Sequence, residues 1–356
     1  MAQLGSLPPR ERYQAAPRRE PPGKEQEQDQ HPESGLKTAA DKTAALQRQI
    51  RILDEMLTSV LSLAPLSFED LMVSPDPPRF DPAPSGLPGP APAWENYAPV
   101  RPGALRRLLG GGARYKAQLA AARARFEDVQ SEHRKQESQW RQALTAAKAQ
   151  HDRRVTEERA KAAEHNAAIS ARRSSFAAGE SEAVEWFVAR ILDASRYPGV
   201  FPREHRATYR PGHREVTVEF EFPPPRIVPT VRAFRYLKTR DVIEPLARPD
   251  SEIRQRYQRL ISSITLRTLH EVFSATPSGV VETVAFHGRV ATVDPATGQP
   301  ARPHLLSVSA DRPAFDALVL SAVDPTTCLS HLGARMSANP FDLEPVSPLP
   351  AFEAPS

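Results

Sequence analysis

The run EVTVEFEFPPP, Glu215 to Pro225, decides the fold class. Val216, Val218, Phe220 and Phe222 alternate with Glu215, Thr217, Glu219 and Glu221. Only an extended strand sends alternate side chains to opposite faces, so one face must be buried while the acidic face meets polar surroundings. Proline lacks the amide hydrogen that a ladder needs, and the three prolines close the strand.

Outward from this strand the pattern stays that of an α+β domain. On the C-terminal side VRAFRYLKT, 231 to 239, predicts a second strand antiparallel to the first. A helix from Ser251 to Ser274 follows, with Asp250 as N-cap and Ile253, Tyr257, Leu260, Ile261, Ile264, Thr268 and Val272 on its buried face. VVETVAF and RVATV flank His287-Gly288, which suits a tight hairpin or a bulge in one long strand. DPATGQP predicts a turn at Pro295 and Gly298 before the strand LLSVSA. Asp311 with Pro313, and Asp324 with Pro325, announce two short helices. On the N-terminal side EAVEWFVARILDAS is a helix with Val184, Phe187, Val188, Ile191 and Leu192 on one face. Residues 179–345 therefore read as a small antiparallel or mixed sheet with packed helices, and 346–356 as a disordered tail.

Upstream the composition changes. From 113 to 178 the chain has neither Gly nor Pro and is dominated by Ala, Arg, Gln, Glu and Lys, so it predicts one long basic helix. Tyr115, Leu119, Ala122, Phe126, Val129, His133, Gln136, Trp140 and Ala147 step mostly by threes and fours, as in a left-handed coiled coil. The seam is poor in Leu and Ile, so it either self-associates or folds back on its own domain. Residues 65–112 form a Pro-rich linker, and within its stretch 73–103 Phe80, Trp94 and Tyr97 are the only large side chains able to dock. Residues 43–64 make a short amphipathic helix with Leu46, Ile50, Leu53, Leu57, Val60 and Leu61 on one face, and 1–42 read as a disordered tail.

The net charge of +4 conceals an asymmetry. Residues 101–176 hold seventeen Lys and Arg against eight Asp and Glu, whereas 177–345 hold twenty of each. A local excess of +9 suits a polyanion, and equally a solvated helix surface. The candidate phosphate contacts are Arg106, Arg107, Arg114, Lys116, Arg123, Arg125, Arg153 and Arg154. A single cysteine, Cys328, excludes an internal disulfide and any multi-cysteine metal site. The absence of a signal-like N-terminus or of about 20 consecutive apolar residues predicts a cytoplasmic chain outside the membrane.

Motifs for catalysis fail on inspection. LRTLHEVF places His270 and Glu271 on a helix as zinc proteases do, but the second histidine such a site requires is replaced by Ser274. Arg267, His270 and Glu271 then either pair within the domain or line a ligand groove. No Gly-rich loop joins a strand to a helix, so there is no phosphate cradle, and neither metal nor cofactor is expected.

EHNAAI, YPGVFP, VEFEFPPPRIVP, LRTLHEVF and the block from VDPATGQP through CLSHLGARMSANPFDLEPV together resemble the N-terminal, non-nuclease region of actinobacterial Mrr-like restriction endonucleases. The resemblance spans roughly 104–348 and implies a helical arm and an α+β module ahead of a PD-(D/E)XK nuclease domain. Such a nuclease needs Asp, Glu or Gln two residues before its lysine. The eight lysines are preceded at that spacing by Pro22, Gly35, Ala40, Arg114, His133, Ala146, Arg159 and Tyr236. The expectation is a non-catalytic, DNA-associated or partner-binding module of a restriction system, self-associating through its arm and served by a separately encoded nuclease. The alternative is a coiled-coil scaffold with no role in nucleic-acid binding.

Overall fold

The computed structural model describes residues 32–77, 79–80, 89–101, 103 and 112–349. Its helices are α1 (Pro32–Asp54), α2 (Gly112–Ala177), α3 (Ser181–Ala194), α4 (Asp250–Ala275), α5 (Arg312–Asp316) and α6 (Pro325–His331). Its strands are β1 (His205–Arg210), β2 (Glu215–Glu221), β3 (Val231–Leu237), β4 (Val242–Ala247), β5 (Thr283–Arg289), β6 (Thr292–Val293), β7 (Pro300–Ala301), β8 (His304–Asp311) and β9 (Arg335–Met336).

The main sheet is mixed, in the order β1-β2-β5-β8-β9, with β2 and β5 parallel and the other pairs antiparallel. The register assigns each face. Val216, Val284 and Ala310, and then Val218, Phe286 and Val308, stand side by side on the apolar face. On the other face Glu219, His287 and Ser307 form one row. A parallel pair requires a crossover, and here the crossover carries the β3–β4 hairpin and α4. Helix α4 is buried on nearly all sides between the sheet, α3 and α6. Its hydroxyls stay satisfied by bonding one turn back, Thr265 to Ile261 and Thr268 to Ile264, both at 2.9 Å.

Several sequence expectations need correction. The strand 231–237 pairs with β4 and not with β2, and helix α1 closes over it: the Thr43 hydroxyl accepts the Phe234 amide hydrogen at 2.9 Å. Of the two readings of His287-Gly288 the hairpin fails and the bulge holds: β5 runs through both residues, with its irregularity between Gly288 and Arg289. Gly288 is required there because a Cβ would sit 1.9 Å from the Phe222 ring. Asp250 is the first residue of α4 rather than its cap, which is Pro249. Helix α1 begins within the stretch read as a disordered tail and stops at Asp54, ahead of the predicted end. What the sequence pattern missed is tertiary: Ala39 is buried, and Gly35 lies against the Tyr236 ring, where a Cβ would be 2.3 Å away. Residues 346–349, also read as tail, lie on β8, with the Val346 amide donating to the His304 carbonyl at 2.8 Å. The rest of that stretch, from 350, and residues 1–31 lie outside the described residues.

Helix α2 is a single helix of 66 residues, as its composition predicts, on the order of 100 Å long. The half-buried seam follows the straight helical repeat rather than a heptad. Phe126, Leu144 and Ala162 stand in line eighteen residues apart, which is five whole turns, while Val129 and Gln136 of the predicted seam are exposed. The covering element is the Pro-rich linker, running antiparallel to the arm. Phe68 packs on Phe176, the His165 ring nitrogen meets the Leu71 carbonyl at 2.9 Å, and Val73 exchanges two 2.9 Å bonds with the Asn166 amide. Farther out Phe80 meets His151, His133 meets the Gly89 carbonyl at 2.8 Å, and Trp94 and Tyr97 flank Phe126. From Phe126 to Phe176 the arm spans about 75 Å, which the strap from Phe68 to Tyr97 must match at roughly 2.6 Å per residue.

Candidate nucleic-acid interface and ligand groove

Of the eight predicted phosphate contacts, Arg106 and Arg107 lie outside the described residues. The other six are exposed and form no ion pair among the described residues. They do not share a face. At 100° per residue from Phe126, Lys116 and Arg123 fall on one flank of the strapped seam, Arg114, Arg125 and Arg154 on the other, and Arg153 on the back. Other cations missed by the sequence reading, Arg134, Arg141, Lys148 and Arg159, extend the first flank. Helical phase applied to every Lys and Arg, rather than to conspicuous pairs, would have found them.

The Arg267, His270 and Glu271 group forms both a buried pair and one wall of a groove. Arg267 is only 2 % exposed. Its Nε donates to Glu271 Oε1 at 3.0 Å, its Nη2 donates to Ser195 Oγ at 2.9 Å, and Ser195 Oγ donates to Glu271 Oε1 at 2.8 Å. The guanidinium lies 4.3 Å from the centre of the Tyr197 ring, and its Nη1 reaches the Met56 carbonyl at 3.4 Å. Burial pushes the Glu271 carboxyl above its usual range while Arg267 pulls it back. Its Oε2 is buried with no hydrogen-bond partner. Ser195 and Tyr197, just beyond α3, carry no local motif that marks this role. Over the cluster opens a groove of about 360 Å³ whose walls include Leu63, Leu66, Ile191, His270 and Ser274. His270 Nδ1 meets the Ser274 hydroxyl at 3.3 Å, and burial holds its imidazole below the ordinary histidine range.

A second polar cluster lies on the far face of the sheet. Ser307 Oγ bonds His287 Nδ1 at 2.9 Å and accepts the Leu349 amide hydrogen at 2.9 Å. His304 meets His287 edge-on, with ring centres 6.3 Å apart, and Arg289 pairs with Glu219 at 3.1 Å. His287 Nε2, His304 Nδ1, Arg289 Nε and Glu221 Oε2 are all buried and unpartnered. Burial, reinforced by His304, lowers the His287 pKa against the pull of Glu219 and Glu215; burial and Arg289 lower that of His304. Unfolded, both titrate near 6.5. Because their folded values are depressed, the unfolded chain binds more protons below that point. Their stabilising contribution is full above about pH 6.5 and is lost as pH falls through the folded values. Denaturant midpoints should fall between pH 7.5 and 5.5, and His287→Gln with His304→Gln should flatten that fall. An unchanged slope in the double variant contradicts this account.

Among the described residues no helix is long and apolar enough to cross a membrane, and no three His, Cys, Asp or Glu side chains gather as a metal site would require. Comparison with protein-family models, curated proteins and solved structures gives no match.

Proposed function

We propose that the chain is a non-catalytic, DNA-associated module of a cytoplasmic restriction or defence system, of the kind its resemblance to the N-terminal region of Mrr-like endonucleases implies. In this reading the basic arm meets phosphates, and the α+β domain offers the Arg267, His270 and Glu271 groove to a ligand or partner. Strand scission falls to a separately encoded nuclease. The observation that carries the reading is the arm itself: fourteen Lys and Arg against eight Asp and Glu on one rigid helix whose apolar seam is already occupied. Such an excess of one sign along one exposed helix is a surface that draws in a polyanion. Self-association through the same seam would require a second copy to displace or exchange the strap. The lysine spacing supports the non-catalytic part: with magnesium the purified chain should leave duplex DNA uncut, methylated or unmethylated. Metal-dependent cleavage that follows the chain through independent preparations would overturn it.

A further inference from the structure

We infer that the arm meets duplex DNA along one flank, a row made by Lys116, Arg123, Arg134, Arg141, Lys148 and Arg159; this rests on the DNA-associated reading above. Arg123, Arg141 and Arg159 are spaced eighteen residues apart, so they stand in one line about 27 Å from each other and about 60° round the helix from Phe126. Lys116 and Arg134 lie about 20° to one side of this line and Lys148 about 20° to the other. The row is continuous over about 65 Å, the length of roughly 19 base pairs. All six are exposed, and the acids in or beside the row are Glu127, Glu137 and Asp152.

The other faces of the arm do not offer such a track. On the opposite flank, Arg114 and Arg125 are followed by no cation until Arg154, a gap of about 44 Å holding Val129, Glu132, Gln136, Ala143, Ala147 and Gln150. The back is mostly Ala, Ser and Gln, with Lys135 and Arg153 outweighed by Asp128, Glu157 and Glu164. The front is covered by the strap, which brings its own Glu69, Asp70, Asp76 and Glu95. Arg141 pairs with Glu137 within the helix, but Arg141 is exposed and Glu137 only half-buried, and such a pair holds weakly enough for a phosphate to replace it.

The row selects its partner. It carries no aromatic side chain on which unstacked bases could lie, which disfavours single strands. Between its cations, beside the acids, stand Gln130 and Thr145, with nothing large and apolar to enter a bilayer interface. A straight, rigid row of point charges fits a straight, rigid rod of regular phosphates, and such contacts position the duplex without reading its sequence.

Two variants with equal charge loss test this. R123Q/R134Q/R141Q/K148Q takes four cations from the row, whereas R114Q/R125Q/R153Q/R154Q takes four from the other faces. Circular dichroism should show unchanged helicity in both. With a 25-base-pair duplex at low salt, the row variant should bind at least about tenfold more weakly, with its log-log salt slope flatter by about 3 to 4. The second variant should stay within about threefold of the parent with its slope unchanged. Equal losses from both, or the larger loss from the second, would overturn the row and leave DNA association standing. No binding by the parent would remove the underlying reading as well.

Discussion

Replacing Arg267 with Met should lower the unfolding free energy by about 3 to 5 kcal/mol, although the new side chain fills much of the same space. The cause is what remains behind. Glu271 is largely buried, its Oε2 already lacks a partner, and among the described residues Arg267 is the only cation bonded to its Oε1. Without the guanidinium, Glu271 must either keep an uncompensated charge in a dry site or take up a proton at neutral pH. Tyr197 loses the cation over its ring, and Ser195 loses two donors. The sign of the pH effect follows. A carboxyl whose folded pKa is raised contributes stability that is present below its unfolded value near 4.3 and is lost as pH rises through the folded value. The deficit of R267M relative to the parent should therefore shrink as pH falls toward 4.5. The double variant R267M/E271L should recover much of the loss, since replacing both members of a buried pair costs less than orphaning one. Urea unfolding measures all three. A single variant within 1 kcal/mol of the parent, by order of magnitude, would show that the pair does not hold this junction.

Phe68→Ala should produce a loss of comparable size, about 3 to 5 kcal/mol in the unfolding of the arm–domain junction, and should also release the strap. Phe68 is buried, stacked on Phe187 with ring centres 4.2 Å apart, and touches Phe176 and Trp186 at 5.3 and 6.4 Å. It is the point at which the strap leaves the domain to follow α2. Next to it the fastenings are exposed, the Arg173 to Glu69 pair and the bonds from His165 and Asn166, and farther out only half-buried rings meet, Phe80 on His151 and Trp94 and Tyr97 on Phe126. Exposed contacts of that kind each contribute little, so without the anchor the strap should leave the seam. Proteolysis between residues 71 and 101 should then quicken. The uncovered seam, with Phe126 and Trp140, should associate between copies in a concentration-dependent way seen by sedimentation. A variant cut at the parental rate, and as monodisperse as the parent, would show that the strap is held along its whole length.

The elements whose period is local were legible in the sequence. Alternation between Val216 and Phe222 gave β2, and the unbroken run without Gly or Pro gave α2 to within a residue of each end. Pairing was not legible, because nothing in VRAFRYLKT says whether its partner is β2 or β4; that depends on α1 arriving from some 190 residues upstream through Thr43. The strap was half legible. Three of its aromatics were marked as docking groups and its anchor Phe68 was not, and the straight repeat of the seam they cover emerges only when the helix is followed for five turns at a time. At the candidate groove the pairing of Arg267 with Glu271 follows from their spacing of four on one helix. Ser195 and Tyr197 could not be foreseen, since they reach Arg267 only through the packing of α3 against α4.

Equilibrium binding of the intact chain to a duplex of about 25 base pairs, titrated from roughly 50 to 300 mM salt, tests the central claim most directly. A phosphate-binding arm predicts affinity independent of sequence and a log affinity that falls linearly with log salt, with a slope of about −4 to −6 from the exposed row on one flank. No binding at the lowest salt, or binding that does not change across the range, would contradict it and leave the arm as a strapped spacer with a solvated basic surface.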